Sequence, residues 1–260
     1  MRDMTTRLNR TIALVLILLV PPAAVLLSLA PALAQGSPEG ESHFNSGVIH
    51  LREGRVDLAI EEFERAVKAD SKNPYFRKGL GQAYAGRGDF KDAIKQFRAA
   101  LELNPYYTDV RNDLGTALIL AGKREEGKEE FLGAYSDATN PTPEISARNL
   151  GQAYLDEKNY TEAIDWFRTA INRSETYADP YVGVAAALVA TDRLEEAVML
   201  LESGVEKTEG DAGLLLTLGQ AYFRAGRFAE SRERLEEAMR KDPSGRVGQA
   251  AAAELANLPH

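Results

Sequence analysis

The pentapeptide Leu-Gly-Gln-Ala-Tyr occurs three times in this chain, at residues 80–84, 150–154 and 218–222. When the glycine of this pentapeptide is used to align the rest of the chain, small residues recur at the same position at steps of 34, 34, 36, 34 and 34 residues. A fixed period of about 20–50 residues is typical of repeat architectures, so six copies of one unit account for most of the 260 residues. The aligned residues are Gly47, Gly81, Gly115, Gly151, Ala185 and Gly219.

The unit at 74–107 has the pattern of two amphipathic helices joined by a tight turn. The leucine, glycine and tyrosine of the pentapeptide share one helical face, and the glycines of GRGD at 86–89 favour a turn. Apolar periodicity then resumes with Ala93, Phe97 and Ala100. A glycine inside a helix costs about 1 kcal/mol relative to alanine. We therefore predict that this glycine lets the second helix approach closely and that the pentapeptide is the contact face of the first helix.

The other units keep a small residue at the position of Ala93, a large apolar residue at Phe97 and a small residue at Ala100. With L-G-x-x-Y and a closing proline, this pattern resembles the tetratricopeptide repeat family. The resemblance implies an all-α fold, a right-handed α-solenoid of six helix-turn-helix repeats with a C-terminal capping helix and tail at 244–260. The six repeats are expected at about 40–73, 74–107, 108–141, 144–177, 178–211 and 212–243.

Two loops raise specific expectations. The two-residue slip in the period lies in NPTPEIS at 140–146 and indicates either a longer loop, which we favour, or a joint between two three-repeat blocks. Thr142 as N-cap and Pro143 at the first helical position would restart the helix. Ser244 is expected to cap the last helix.

The N-terminus has the pattern of a secretory signal over 1–34: three arginines in the first ten residues, an apolar middle and an A-x-A end. Cleavage near Ala34 would make the protein periplasmic or secreted. The alternative is an uncleaved helix, because residues 11–34 are long enough to anchor the chain in a membrane. A flexible leader is expected at 35–41.

The composition excludes several kinds of chemistry. Cysteine is absent, which rules out disulfides, thiolate metal sites and cysteine nucleophiles. His43 and His50 are seven residues apart, but two histidines do not make a metal site, and no phosphate-loop, dinucleotide or G-x-S-x-G motif occurs. The sequence therefore predicts no enzyme, no catalytic residue, no metal and no cofactor. A formal net charge of −8 argues against nucleic acid as a partner.

The family resemblance implies that the first helices line a concave groove that binds protein or peptide segments. We predict a non-catalytic exported scaffold that assists assembly of an envelope complex. The alternative is a targeting subunit of an enzyme acting on cell-wall polysaccharide, but its expected aromatic platforms are scattered, at Phe44, Tyr75 and Phe223. The predicted groove residues are Lys78, Gln82, Asn112, Asp113, Arg148, Asn149, Gln152, Leu216, Gln220 and Phe223.

Overall fold

A computed structural model describes residues 37–259 of the chain. This part is all-α, with thirteen helices and no strand, as the period predicted. The odd-numbered helices up to α11 are the first helices of the six repeats, and the even-numbered ones are the second helices. The helices are α1 Pro38–Arg52, α2 Val56–Ala69, α3 Pro74–Arg87, α4 Phe90–Leu103, α5 Thr108–Leu120, α6 Arg124–Ser136, α7 Pro143–Asp156, α8 Tyr160–Arg173, α9 Ala178–Ala190, α10 Leu194–Lys207, α11 Ala212–Arg224, α12 Phe228–Lys241 and α13 Arg246–Ala256.

The first helix begins earlier than the sequence predicted. Ser37 Oγ accepts a hydrogen bond from the Gly40 amide at 3.1 Å, and Pro38 occupies the first turn, where its missing N–H costs nothing. The predicted flexible leader at 35–41 is therefore wrong from residue 38 onward. The predicted signal segment and its cleavage site lie outside the described residues. Within 37–259, no helix is long and apolar enough to cross a bilayer.

The chain divides into two compact units, one ending at Leu80 and the other comprising Gly81–His260, so the boundary falls inside α3. The first unit is built around three phenylalanines. The Phe44 ring lies 5.3 Å from that of Phe63 and 5.4 Å from that of Phe76, centroid to centroid. Gly47 makes room for this cluster, because a Cβ there would lie 2.8 Å from the Phe63 ring.

In the second unit the repeated glycine has the predicted role. A Cβ on each of these glycines would meet the large side chain of the second helix of the same repeat at 2.6–2.7 Å. Real Cβ atoms do not approach so closely, so only glycine allows this contact. The prediction that the glycine admits the second helix is confirmed. The pairs are Gly81 with Phe97, Gly115 with Phe131, Gly151 with Phe167 and Gly219 with Leu235.

The turn inside each repeat uses one residue in the left-handed region. Four repeats have glycine there, with φ between 73° and 90°, at positions 54, 88, 122 and 226. Repeats four and five have Lys158 with φ 62° and Asp192 with φ 59° at the same place. A side chain is disfavoured in this conformation, so these two turns carry a local cost that the glycine turns avoid.

The slip at 140–146 is a longer loop inside the second unit, as we favoured, since that unit spans it without division. The side chain of the buried Asn140 organises this loop. Its Nδ2 donates to the Ala134 carbonyl at 2.7 Å, and its Oδ1 accepts from the Thr142 amide at 2.9 Å. Thr142 is at the N-cap as predicted, but its own side chain makes no capping bond, and Pro143 occupies the first turn.

The last helix covers the end of the repeat array. Ala251 and Leu258 join Leu215, Leu235 and Ala238 in one apolar core. Capping by Ser244 is wrong, because Gly245 occupies the N-cap position. The carboxylate of Asp242 supplies the bond instead, accepting from the Val247 amide at 3.0 Å.

Helix contacts define the inner side of the second unit. The first helices α5, α7 and α9 each contact the first helix of the next repeat, and α11 contacts the last helix α13, whereas the second helices α6, α8, α10 and α12 have no such contacts with one another. Because the first helices are closer together, their free faces form the inner, concave surface of this unit, an all-α solenoid.

Candidate protein-binding groove

Three clefts follow one another along this inner surface, each between the first helices of consecutive repeats. The first cleft, between α5 and α7, has a volume of about 170 Å³. The second cleft, between α7 and α9, measures about 270 Å³, and the third cleft, between α9 and α11, about 370 Å³. We call this series the groove.

Polar side chains from α7 line the first and second clefts. Arg148 and Gln152 border both clefts, and Asn149 and Asp156 border the first. The Arg148 guanidinium lies 3.3 Å from the Asp179 carboxylate of α9, and Gln152 Nε2 donates to Asp156 Oδ1 at 2.7 Å. These contacts hold the polar groups in place while leaving them accessible from the groove.

Tyr177 adds a neutral donor beside the Arg148–Asp179 pair. Burial raises the pKa of the Tyr177 hydroxyl, and its hydrogen bond with Asp179 raises the pKa further, although the Arg148 charge opposes both effects. The phenol therefore stays protonated at neutral pH and can donate to the carboxylate.

The third cleft is mostly apolar. Val182, Ala186 and Val189 of α9 form one wall, and Leu201 lies behind them. The polar groups come from α11: Thr217, Gln220 and Arg224. The lining of the groove thus changes from polar at the first cleft to mostly apolar at the third.

The predicted groove residues divide into three sets. Arg148, Asn149, Gln152 and Gln220 line the clefts. Gln82 and Asp113 form a hydrogen bond of 2.9 Å to each other, and Lys78 is half-buried in the first unit. Asn112, Leu216 and Phe223 do not appear among the cleft-lining residues.

Those last three residues are used in packing. Asn112 is only 7% exposed, and its Oδ1 accepts from Asn149 Nδ2 at 3.5 Å. Leu216 packs on the apolar core that α13 closes. Phe223 lies at the end of α11 with its ring 5.7 Å from that of Phe228. Phe223 is nevertheless 41% exposed and Leu216 is half-buried, and a groove role for these three residues stays a prediction.

Asp156 and Arg224 are lining residues that sequence reasoning missed. Each stands four residues after the glutamine of a repeated pentapeptide. This spacing places each of them one turn further along the same helical face. The repeat period could have identified both residues, but the predicted groove did not extend past the pentapeptide on these helices.

A buried lysine joins α6 to α7 behind the groove. Lys128 Nζ lies 2.8 Å from Glu125 and 2.9 Å from Glu157, and 4.7 Å from the centre of the Tyr154 ring. Desolvation lowers the pKa of Lys128, but the hydrogen bonds to both glutamates outweigh it and the net pKa is raised. The charged amine therefore fixes α6 against α7, the helix that carries Arg148.

In the first unit, both histidines lie beside carboxylates, and one of them makes a hydrogen bond. His43 Nδ1 lies 2.7 Å from Glu62 Oε2, a bond between α1 and α2, and His50 lies 3.7 Å from Glu53. The hydrogen bond from His43 is the main reason that the pKa of Glu62 is lowered; burial opposes it, and the charge of Arg65 adds to it. Within residues 37–259 we find no group of three or more His, Asp or Glu side chains placed to hold a metal.

Family models of one kind of repeat match most of the chain. Three models, each described as tetratricopeptide repeat, match residues 74–107, residues 192–255, and residues 26–74 together with 112–182. These matches cover repeats on both sides of the slip at 140–146.

Relatives and solved structures agree with this fold. The Protein CTR9 homolog of Arabidopsis thaliana is 24% identical over 208 residues, which is 76% of this chain but 19% of that protein. The Photosystem I assembly protein Ycf3 of Rippkaea orientalis is 26% identical over 159 residues, 59% of this chain and 87% of that protein. The crystal structure of PilW, described as a widely conserved type IV pilus biogenesis factor, has a TM-score of 0.65 at 19% identity and covers 84% of this chain and 100% of its own.

Proposed function

Because the chain is built from tetratricopeptide repeats, we propose that it is a non-catalytic exported scaffold whose groove binds an extended segment of a partner protein. The observation that carries this proposal is the series of three clefts between α5, α7, α9 and α11, lined by Arg148, Asn149, Gln152 and Gln220. A row of clefts suits successive side chains of one extended segment, a recognised mode of peptide recognition.

Assembly of an envelope complex is the finer part of the proposal. PilW, which has a similar fold, is described as a pilus biogenesis factor, and Ycf3, which is similar in sequence, as an assembly protein. The signal-like pattern at 1–34 supports export. Subcellular fractionation and the mass of the native N-terminus test this part: we expect an envelope protein that begins near residue 35, and a cytoplasmic chain beginning at Met1 would contradict export.

The polysaccharide alternative is less well supported by the aromatic residues. A sugar platform needs an exposed ring, whereas Phe44 is packed between Phe63 and Phe76. Tyr75 and Phe223 are exposed, at 50% and 41%, but neither lines one of the three clefts, and Phe223 is paired with Phe228 at a turn. We therefore favour a protein ligand.

The experiment that tests groove binding is affinity capture from envelope extract with the full chain as bait. The groove variant carries Arg148→Glu and Gln152→Ala. The control carries Arg240→Glu and Gln249→Ala, matched changes at exposed residues of α12 and α13. We expect the groove variant to lose, by about tenfold or more, proteins that the native chain and the control retain. Equal capture by a folded groove variant, verified by circular dichroism, would overturn the assignment.

A further inference from the structure

We propose that the third cleft binds an apolar side chain of an acidic partner segment, and that Arg224 pairs with a carboxylate next to that side chain. This inference rests on the proposed function and specifies which residues of a partner the groove selects. It assigns a role to an arginine that the repeat pattern alone did not identify.

The third cleft has the size and lining for an aliphatic anchor. Its volume of about 370 Å³ lies at the lower end of the range of about 300–1,000 Å³ for ligand pockets. Val182 and Val189 are half-buried, so part of each apolar surface remains open to the groove. Burying a leucine, isoleucine or methionine side chain here removes apolar surface from water on both sides.

Arg224 is a charged residue of the third cleft whose guanidinium is available to bind a partner. Within residues 37–259 its guanidinium has no hydrogen bond, ion pair or ring contact. Arg148, the arginine beside the first two clefts, is already paired with Asp179, and Gln220 is held by Glu254 at 2.9 Å. A partner carboxylate can therefore bind Arg224 without breaking an internal contact, and charge-assisted bonds of this kind are the stronger ones.

Arg224 and the apolar wall of α9 border the same cleft, which sets the spacing between anchor and carboxylate. An extended peptide advances about 3.3 Å per residue, so residues within two positions of the anchor lie within about 7 Å of it. The carboxylate is therefore expected within about two residues of the apolar anchor.

At the other end of the groove, a carboxylate of this chain repels an acidic residue of the partner. Asp156 borders the first cleft, and its position in repeat four corresponds to that of Arg224 in repeat six. The groove therefore offers a negative group near the first cleft and a positive group at the third. Charge complementarity of this kind fixes the direction of a bound segment more than its affinity.

The test uses a random-sequence peptide display library selected on the full chain, followed by titration of the synthesised consensus peptide. We expect enriched peptides with Leu, Ile, Val or Met and an Asp or Glu within two positions. Replacing that acid by its amide is expected to weaken binding about tenfold. Arg224→Glu is expected to weaken binding of the acidic peptide to a similar extent, and on this variant the amide replacement loses its effect.

Two matched controls separate the cleft from the fold. Arg240→Glu makes the same charge change in the last turn of α12, outside the cleft, and is expected to keep binding. Ala186→Leu fills the cleft and is expected to abolish binding, whereas Ala252→Leu on the exposed side of α13 is not.

Each contrary result has a definite meaning. One possible result is that Arg148→Glu with Gln152→Ala abolishes peptide binding, while the enriched peptides show no preference for acids and still bind Arg224→Glu. That result would overturn this inference and leave groove binding intact. A selection that enriches no peptide on the folded native chain would overturn both proposals.

Discussion

The contact between Gly151 and Phe167 gives a quantitative test of why the pentapeptide is repeated. A Cβ on residue 151 would lie 2.7 Å from Phe167 Cδ1, whereas carbon atoms in contact prefer about 3.5–4.0 Å. The ring has nowhere to move, because its other side packs against the next repeat, where a Cβ at Gly183 would also clash with Phe167 Cζ. Phe167 is 1% exposed.

The expected cost of Gly151→Ala follows from two opposing terms. Overpacking a rigid core site costs about 1–3 kcal/mol, and the tight ring favours the upper end. Removing a glycine from a helix returns about 1 kcal/mol. We expect a net destabilisation of about 2 kcal/mol.

A second change in the same pair should relieve the clash. Repeat five already combines an alanine at the glycine position, Ala185, with Leu201 in place of the ring, and both are buried in one core. Phe167→Leu alone is expected to cost about 1 kcal/mol by leaving space. The double variant is expected to cost about 1 kcal/mol rather than the additive 3, a coupling of about 2 kcal/mol.

The assay is urea unfolding of all four proteins of the cycle, followed by far-ultraviolet circular dichroism. Hydrogen exchange of α7 to α9 localises the change, since repeat arrays can open in parts. Free energies that add within about 0.5 kcal/mol would show that residues 151 and 167 do not compete for space. That result would refute the reasoning for the repeated glycine.

Two further predictions concern a backbone turn and an ion pair. Lys158→Gly and Asp192→Gly should each raise the free energy of unfolding by about 1 kcal/mol, because both residues have positive φ. The control Gly122→Ala should lower it by a similar amount, and no change in any of the three would contradict the turn argument. Glu62 has a folded pKa below its ordinary 4.5, so its bond to His43 stabilises the fold above that pH and is lost as pH falls through the lowered pKa. Acid unfolding of Glu62→Gln should therefore be less steep below pH 4.5, and an unchanged profile would show that the bond contributes nothing.

The period predicted the backbone far better than it predicted the local capping contacts. Gly151 indicated a close helix contact, because glycine destabilises a helix and its recurrence in each repeat requires a structural role. The left-handed turn at Lys158 was hidden, since a lysine gives no signal of positive φ, and only its alignment with the glycine turns could have indicated it. Likewise Ser244 was the expected cap, whereas Asp242 reaches the helix amides from two residues earlier. Such contacts depend on how a loop folds back, which a local pattern does not encode.

The same limit applies to the groove, and the glutamine of the pentapeptide shows why. Gln82 bonds Asp113 of the next first helix, Gln152 bonds Asp156 in its own helix, and Gln220 bonds Glu254 of α13. The same residue in the same place thus has three different partners, because each neighbour differs. The repeat pattern determines the position of a side chain, but the neighbouring repeat determines whether that side chain is free to bind a partner. We therefore expect binding specificity to lie in the positions that differ between repeats, as the position of Arg224 does.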